Sequence, residues 1–268
     1  MNICFIGGGN MATALIGGLL GQGFADQISV VEVSAENRAR LARDFAVRAV
    51  DNLKDGIEGS QAIVVAVKPQ QLHEVVKELS PLLSGQLLIS IAAGIRAVDI
   101  ARWAGTQSIV RAMPNTPALI RSGITGLHAL PSVDAVQREQ AQNILSAVGE
   151  VIWLKDEAMM DAVTAISGSG PAYVFYMMEA LEEAAVELGF GAEDARRLSL
   201  ATFLGAGRLA AGSPESVSML RARVTSKNGT TERALLSMEA NHVKQHIVEA
   251  ARAAALRSRE LGDELGRA

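Results

Sequence analysis

Glycines near the start of the chain carry its first chemical signal. An apolar run, residues 2–6, is followed at once by Gly7-Gly8-Gly9-Asn10-Met11-Ala12, a G-x-G-x-x-A pattern that leads into a helical stretch. Gly7 permits a tight turn, Gly9 lets a pyrophosphate approach the backbone, and the small Ala12 lets the helix pack closely on the strand. N–H groups at a helix start attract phosphate. The pattern predicts a dinucleotide-binding turn whose cofactor contacts are Gly7, Gly9, Asn10 and Met11.

Glu32 is the acidic residue that such a turn requires. It lies in the second apolar run, residues 28–33, about 20 residues beyond the glycines, as the dinucleotide fingerprint expects. A carboxylate there can accept hydrogen bonds from the adenosine ribose and would repel a 2′-phosphate, although a solvated glutamate at a strand end would look the same. Ser34, Asn37 and Arg38 follow and could accommodate a phosphate. We therefore expect NADPH or NADH, with a modest bias toward NADH.

Two loops follow later strands at their carboxyl ends, where open α/β sheets bind ligands. Lys68-Pro69 comes after the apolar run 62–67, and Lys68 is equally a solvated residue or one that faces the cofactor. In Met113-Pro114-Asn115-Thr116-Pro117 two prolines stiffen a loop that could present Asn115 to a nicotinamide, although a plain rigid turn would look the same. The set of residues expected to contact the cofactor therefore also includes Ser34, Ala66, Lys68, Pro69 and Asn115.

Two further loops open helices in the second half of the chain. Ser167-Gly168-Ser169-Gly170-Pro171 precedes a long helical segment, with Pro171 suited to its first turn. The polar run 225–231 precedes another helix, whose free N–H groups would form a ready site for a carboxylate. A flexible cap in the first case and ordinary N-capping by Asn228 or Thr230 in the second are the plainer interpretations.

Other chemistries find little support in the sequence. His242 and His246 are spaced i, i+4 but enclose no acidic residue of an H-E-x-x-H motif, so we expect no metal site. Cys4 is the only cysteine. This excludes a disulfide framework, and a thiol within the first strand is most simply a small core residue.

These loops require a particular order of elements to position them. To about residue 155, short β-type runs alternate with amphipathic helical segments, which predicts a Rossmann-type doubly wound parallel sheet in a domain of residues 1–155. Beyond it, strand signals stop and long Ala/Leu/Glu/Arg-rich segments predict an all-helical substrate-binding and dimerisation domain, residues 156–268. Because those helices are too apolar for a small solitary bundle, we expect a homodimer with a large interface.

Composition sets the remaining limits. The chain has 268 residues, 49% of them hydrophobic, and a net charge of −4, which gives no basic footprint for nucleic acid. It shows neither a signal-peptide pattern nor an apolar run of the length that spans a membrane. The expectation is a cytoplasmic protein that binds neither nucleic acid nor membrane.

Taken together, the segments resemble the pyrroline-5-carboxylate reductases nearly from end to end. Blocks that match the family in order are Phe5–Met11, Ala66-Val67-Lys68-Pro69, Ser90–Gly94, Arg111–Pro117 and Ser167–Tyr173. One departure lies in the loop that the family writes S-P-G-G-x-T, where this chain has Ser226-Lys227-Asn228-Gly229-Thr230-Thr231. Asn tolerates left-handed backbone better than most residues, but the affinity of this loop for substrate is put in doubt.

The resemblance implies that 1-pyrroline-5-carboxylate, a cyclic imine carboxylate, is reduced to L-proline. It implies that Lys68 and Thr231 are catalytic, with Thr231 either passing a proton to the ring nitrogen or only orienting a protonated iminium. The substrate contacts it implies are Ser167, Gly168, Ser226, Gly229, Thr230 and Thr231, with the carboxylate on the backbone N–H groups of the last three. Larger rings of dimers are known in the family, and this chain does not fix their size.

Two other functions remain open from the residues alone. The 3-hydroxyacid dehydrogenases also join a glycine turn to a helical domain, but their catalytic lysine lies in the first long helix, and residues 171–188 contain none. A non-catalytic, dinucleotide-binding redox sensor would need no polar loops in its second half. Cofactor preference and the acceptance of six-membered imines are also left open.

Overall fold

The computed structural model describes residues 1–24 and 27–267. Its strands are β1 (Ile3–Ile6), β2 (Ile28–Val31), β3 (Arg48–Val50), β4 (Ala62–Val65), β5 (Leu87–Ser90), β6 (Ile109–Met113), β7 (Gly123–Ala129) and β8 (Gly149–Trp153). Its α-helices are α1 (Asn10–Leu20), α2 (Ala35–Phe45), α3 (Leu53–Ile57), α4 (Pro69–Leu79), α5 (Ala97–Ala104), α6 (Ala135–Ser146), α7 (Met159–Val163), α8 (Gly170–Glu187), α9 (Ala192–Ala211), α10 (Val217–Arg223), α11 (Thr230–Ala240) and α12 (Val243–Leu265).

All eight strands form one sheet in the order β3-β2-β1-β4-β5-β6-β7-β8. The first six strands pair in parallel, with Phe5 of β1 opposite Val30 and Val64. The predicted doubly wound sheet and the all-helical region after it are therefore confirmed.

The last two strands differ from an all-parallel sheet. β7 pairs antiparallel to β6, and β8 pairs parallel to β7. The connection from Met113 to Gly123 holds only a 3₁₀ turn, Thr116–Ile120. A parallel crossover needs a dozen or more residues, whereas an antiparallel return needs very few, so the short connection reverses the direction of the chain.

Alternate residues of the strands face two separate cores. Ile3 and Phe5 of β1 point into a cluster with the apolar residues of α1 and α6. Cys4 and Ile6 point into a second cluster with α4 and α5. This period of two, with both faces buried, explains why the central strands read as continuous apolar runs.

Two short elements escape the sequence patterns. α3 and α7 have five residues each, too few for an amphipathic repeat to show. Directly after α7, Thr164–Gly168 form a π-helical turn, closed by the Ser169 N–H donating to the Thr164 carbonyl at 2.8 Å. Turns of this kind occur frequently at functional sites.

The chain divides into two compact units. One comprises residues 1–169 together with the C-terminal segment from Ala253, and the other comprises Gly170–Arg252. The last strand ends at Trp153, close to the predicted boundary at residue 155, but the first unit continues to Ser169. Among the described residues, none of the helices is both long and apolar enough to cross a bilayer.

Candidate active site

A cleft of about 640 Å³ lies in the first unit, at the carboxyl ends of the strands β1 to β4. This is the edge at which doubly wound sheets bind ligands. Residues from every one of the four strand ends line it, among them Gly7, Gly8, Gly9, Glu32, Val33, Asp51, Asn52, Lys54, Ala66, Lys68 and Gln71.

The glycine turn has the backbone that the sequence predicts. Gly7 has φ +97° and donates its N–H to the Val31 carbonyl at 2.8 Å. A Cβ on Gly7 would lie 2.9 Å from the Ala66 carbonyl oxygen, whereas one on Gly9 would meet no atom within 4 Å. Gly7 is therefore required by the fold. Gly9 leaves open space that the protein itself does not fill.

The opening of α1 supplies donors beside that space. Gly9 is its N-cap residue, without a side chain to cap it. In the described part of the chain, no acceptor takes the N–H groups of Asn10, Met11 and Ala12. Three free donors at a helix N-terminus favour a phosphate group. The turn therefore fits the pyrophosphate of a dinucleotide.

Glu32 is held against the glycine turn by two hydrogen bonds. Its Oε2 accepts the Gly8 N–H at 3.0 Å, and its Oε1 accepts the Ser34 N–H at 2.8 Å. The carboxylate is thereby fixed at the wall of the cleft and does not extend into bulk solvent. A negative charge in this position faces the part of the cleft where the adenosine ribose is expected.

The groups that could accommodate a phosphate are largely engaged within the chain. The Ser34 N–H is taken by Glu32, and the Ser34 hydroxyl oxygen accepts the N–H of Asn37 at 3.3 Å. Arg38 donates to the carbonyls of Glu32 and Val33 at 2.7 and 2.9 Å and lies 3.5 Å from an Asp51 carboxylate oxygen. These contacts leave fewer donors for a 2′-phosphate than the sequence alone indicates.

The predicted cofactor residues fall into two groups. Gly7, Gly9, Glu32, Ala66 and Lys68 line the cleft, with Lys68 exposed at the N-cap of α4. Asn10, Met11, Ser34 and Pro69 adjoin these residues in the chain but do not line the cleft.

Asn115 has a structural contact that the sequence did not reveal. Its side chain is 8% exposed, and its Oδ1 accepts the Ile124 N–H, at the start of β7, at 3.0 Å. It does not line the cleft. Its carboxamide oxygen therefore anchors the return of the chain, and a role beside the nicotinamide stays a prediction.

Sequence reasoning missed one side of the cleft. Val33, 85% exposed, and the polar segment Asp51–Lys54 after β3 both line it. Polar residues directly after a strand at the carboxyl edge were the available signal. β3 has only three residues, too few for its end to be marked clearly in the sequence.

The segment before α8 is more ordered than the flexible cap that its small residues suggest. Ser167 and Gly168 belong to the π-helical turn, and the Ser167 hydroxyl donates to the Val163 carbonyl at 3.0 Å. A Cβ on Gly168 would lie 2.6 Å from Cε of Met113. Gly168 therefore permits a close approach between this turn and the last side chain of β6.

The polar loop of the second unit opens α11, with Gly229 as N-cap residue. Asn228 has φ +58°, the left-handed conformation that glycine adopts most easily, and its N–H donates to Glu232 Oε2 at 2.6 Å. A Cβ on Gly229 would overlap the Ser226 hydroxyl. The departure at Asn228 therefore leaves the backbone in a conformation that a glycine could share.

One expectation for this loop requires correction. The Gly229 N–H donates to the Ser226 carbonyl at 3.0 Å and is not a free donor for a carboxylate. The N–H groups of Thr230 and Thr231 have no acceptor among the described residues. Thr231 is half-buried on the first turn of α11. An anion site at this helix would therefore use the amides from Thr230 onward.

Cys4 is a core residue, as its position predicts. It is fully buried, and burial raises the pKa of its thiol from 9.0 to about 12. The neutral thiol has no chemical role in the cleft.

Comparison with known proteins identifies the family. Residues 157–261 match the family model described as pyrroline-5-carboxylate reductase dimerisation, and residues 2–94 match that of NADP oxidoreductase, coenzyme F420-dependent. The pyrroline-5-carboxylate reductase of Pseudomonas aeruginosa is 48% identical over 267 residues, 98% of each chain. The chain belongs to the pyrroline-5-carboxylate reductase family.

Solved structures of reductases agree over the whole length. The structure from Coxiella burnetii has a TM-score of 0.92 and 42% identity, covering 97% of this chain and 98% of that one. The Plasmodium falciparum reductase, solved with NADP bound, has a TM-score of 0.87 and 29% identity over 98% of each chain. Full-length similarity to reductases decides between this family and the 3-hydroxyacid dehydrogenases.

Proposed function

We propose that this chain reduces 1-pyrroline-5-carboxylate to L-proline, the last step of proline biosynthesis, with NADPH or NADH as the reductant. The observation that carries the proposal is the full-length similarity to reductases, with 48% identity over 98% of the chain. The cleft of the first unit supports it, because its glycine turn and the free amides of α1 suit a dinucleotide. The bound dinucleotide supplies the hydride, and the protein supplies binding and orientation.

Residues at the carboxyl ends of successive strands would hold the nicotinamide half of the cofactor. Lys68 is a cation of this edge, exposed in the cleft directly after β4. Its charge would stabilise a polar group of the cofactor or substrate. Asn115 and the π-helical turn with Ser167 and Gly168 are proposed to border the reacting ring. Because Asn115 and Ser167 are already held by hydrogen bonds within the chain, they would hold such a ring without large rearrangement.

The loop before α11 is proposed to bind the carboxylate of the substrate. The N–H groups of Thr230 and Thr231 are free donors at the N-terminus of an 11-residue helix, and such a site favours an anion. Ser226 closes the loop by accepting the Gly229 N–H. The Thr231 hydroxyl would then meet the ring nitrogen, either passing a proton to it or orienting an iminium that is already protonated.

A homodimer is the proposed working form. In α8, α10 and α11, every residue of which the structure describes, no side chain is buried. Phe175 and Tyr176 of α8 are 61% and 75% exposed. Apolar side chains that remain exposed on this scale mark an interaction surface, and this segment matches the dimerisation model. Light scattering on the purified protein would give the oligomer size.

A direct assay tests the function. Oxidation of NADPH and of NADH is followed at the nicotinamide absorbance with 1-pyrroline-5-carboxylate, and proline is quantified as the product. Stoichiometric proline supports the proposal. Binding of both cofactors without turnover would instead support the redox sensor. The cytoplasmic location expected from the composition stays a prediction, which cell fractionation would test.

A further inference from the structure

An ion pair in the first unit joins the buried Arg111 to the partly buried Glu157. Arg111 of β6 is 4% exposed, and its Nη1 donates to Glu157 Oε1 at 3.1 Å. The same oxygen accepts the N–H of Ala97, the first residue of α5, at 2.6 Å. One oxygen atom of Glu157 therefore joins a strand, the start of a helix and the linker that precedes α7.

Each of these three elements continues into a loop at the carboxyl edge of the sheet. β6 leads into the loop that contains Asn115, and the segment between β5 and α5, residues 91–96, enters α5 at Ala97. α7 continues directly into the π-helical turn Thr164–Gly168. Glu157 thus contacts or belongs to a segment next to each of these three loops.

The π-helical turn also touches the end of β6. A Cβ on Gly168 would lie 2.6 Å from Cε of Met113, the last residue of β6. The π-helical turn therefore lies against the side chain that ends β6, directly before the Asn115 loop. A shift at the base would be passed on to the residues that border the reacting ring.

A second ion pair of the first unit is more exposed. Arg96 and Asp263 form an ion pair with side chains 41% and 49% exposed, and exposed pairs of this kind contribute little. Arg111 is different, because a buried guanidinium that loses its carboxylate partner is strongly disfavoured. Its partner therefore decides the local geometry.

We propose that Glu157 is a positioning residue for the hydride transfer, acting through Arg111 and the Ala97 amide without touching substrate or cofactor. This inference rests on the proposed function, because it assumes that the Asn115 loop and the π-helical turn border the reacting atoms. Small displacements in such a site are costly, since a misplacement of about 1 Å can reduce the rate about 100-fold.

Three substitutions separate geometry from charge. In Glu157→Gln the amide oxygen can still accept both bonds, so the loss of the carboxylate beside Arg111 should lower the stability of the fold more than kcat, which should stay within about threefold of the unaltered protein. Glu157→Asp keeps the charge but is one methylene shorter, and Glu157→Ala removes the acceptor. Both should lower kcat by about 10- to 100-fold, with smaller changes in the KM values. Glu150→Ala, at an exposed glutamate of β8, is the matched control and should leave kcat unchanged.

Binding of ADP-ribose measures the adenosine half of the cleft separately. The glycine turn makes no hydrogen bond to Glu157 among the described residues, so calorimetry should give the same affinity for every variant. A loss of ADP-ribose affinity that parallels the loss of kcat would mean general disruption and would overturn the positioning role. Normal kcat in Glu157→Asp would also overturn the positioning role. If circular dichroism shows that Glu157→Ala is unfolded, Glu157→Asp is the variant that decides the test. If the unaltered protein binds ADP-ribose but forms no proline, the proposed function itself fails, and the inference fails with it.

Discussion

The Glu32 carboxylate should set the preference between the two nicotinamide cofactors, and its removal is the sharpest test of the cleft. Both of its oxygens are fixed, one on the Gly8 N–H at 3.0 Å and one on the Ser34 N–H at 2.8 Å. A 2′-phosphate would approach this charge and would also compete for the same two amides. Glu32→Ala removes the charge and frees both donors.

The size of the effect follows from simple electrostatics. Two unit charges about 4 Å apart in water interact by about 1 kcal/mol. A phosphate carries about −1.5 to −2 charges near neutral pH, so the repulsion is about 1.5–2 kcal/mol in an open cleft. At about 1.4 kcal/mol per tenfold change in rate or binding, Glu32→Ala should raise kcat/KM for NADPH relative to NADH by about 10- to 30-fold.

The assay measures initial rates with both cofactors at saturating imine and compares the ratio of kcat/KM values. Glu36→Ala is the matched control, because Glu36 is an exposed acid in the first turn of α2, and its ratio should not change. Glu32→Gln should move the ratio in the same direction, since it removes the charge at similar volume. A ratio in Glu32→Ala equal to that of the control would refute the argument and remove Glu32 from cofactor selection.

Three further expectations concern the substrate loop and the core. If Thr231 passes a proton to the ring nitrogen, Thr231→Ala should lower kcat by about 10²- to 10⁴-fold while Thr231→Ser keeps most of the rate; a loss below about tenfold, carried by KM, would make Thr231 only a binding contact. Because Asn228 already adopts φ +58°, Asn228→Gly should change the KM for the imine by no more than about threefold, and a larger gain in affinity would show that the residue strains the loop. Burial raises the pKa of the Cys4 thiol from 9.0 to about 12, so the unfolded chain loses this proton at lower pH than the folded protein. Chemical denaturation should therefore show that the free energy of unfolding falls as the pH rises from 9 toward 12, relative to Cys4→Ala. At pH 8 the folded protein should not react with a thiol reagent that labels the denatured chain.

Much of the first unit could be predicted because its signals are local. The glycine turn and the strand that precedes it are contiguous, and Glu32 follows at the expected distance. The helices α2 (Ala35–Phe45) and α9 (Ala192–Ala211) lie within the helical segments that the local sequence patterns indicate. In these cases the apolar period and the caps act within a few residues.

Features that depend on contacts between distant residues could not be predicted. The direction of β7 follows from the short connection between β6 and β7, and the residues of the two strands do not indicate it. Asn115 is a polar residue in a stiff loop, as a site residue would be, yet its side chain accepts a hydrogen bond from the Ile124 N–H. The Gly229 amide is lost to Ser226 because the loop folds back on itself. Glu157 is one acid in a polar linker, and only the structure reveals that its carboxylate meets Arg111 and Ala97.

The return of α12 to the first unit has a consequence for the order of folding during synthesis. Ser258 donates to Asp161 Oδ1 at 2.7 Å, and a Cβ on Gly94 would lie 3.2 Å from that of Leu261. These contacts belong to a unit whose other part ends at Ser169, so the ribosome must extend the chain from Ser169 to Leu261 before they can form. At about 5–20 residues per second this takes about 5–20 s. During that interval the sheet is present without the helix that covers Gly94, and the nascent chain exposes a surface that the finished protein buries.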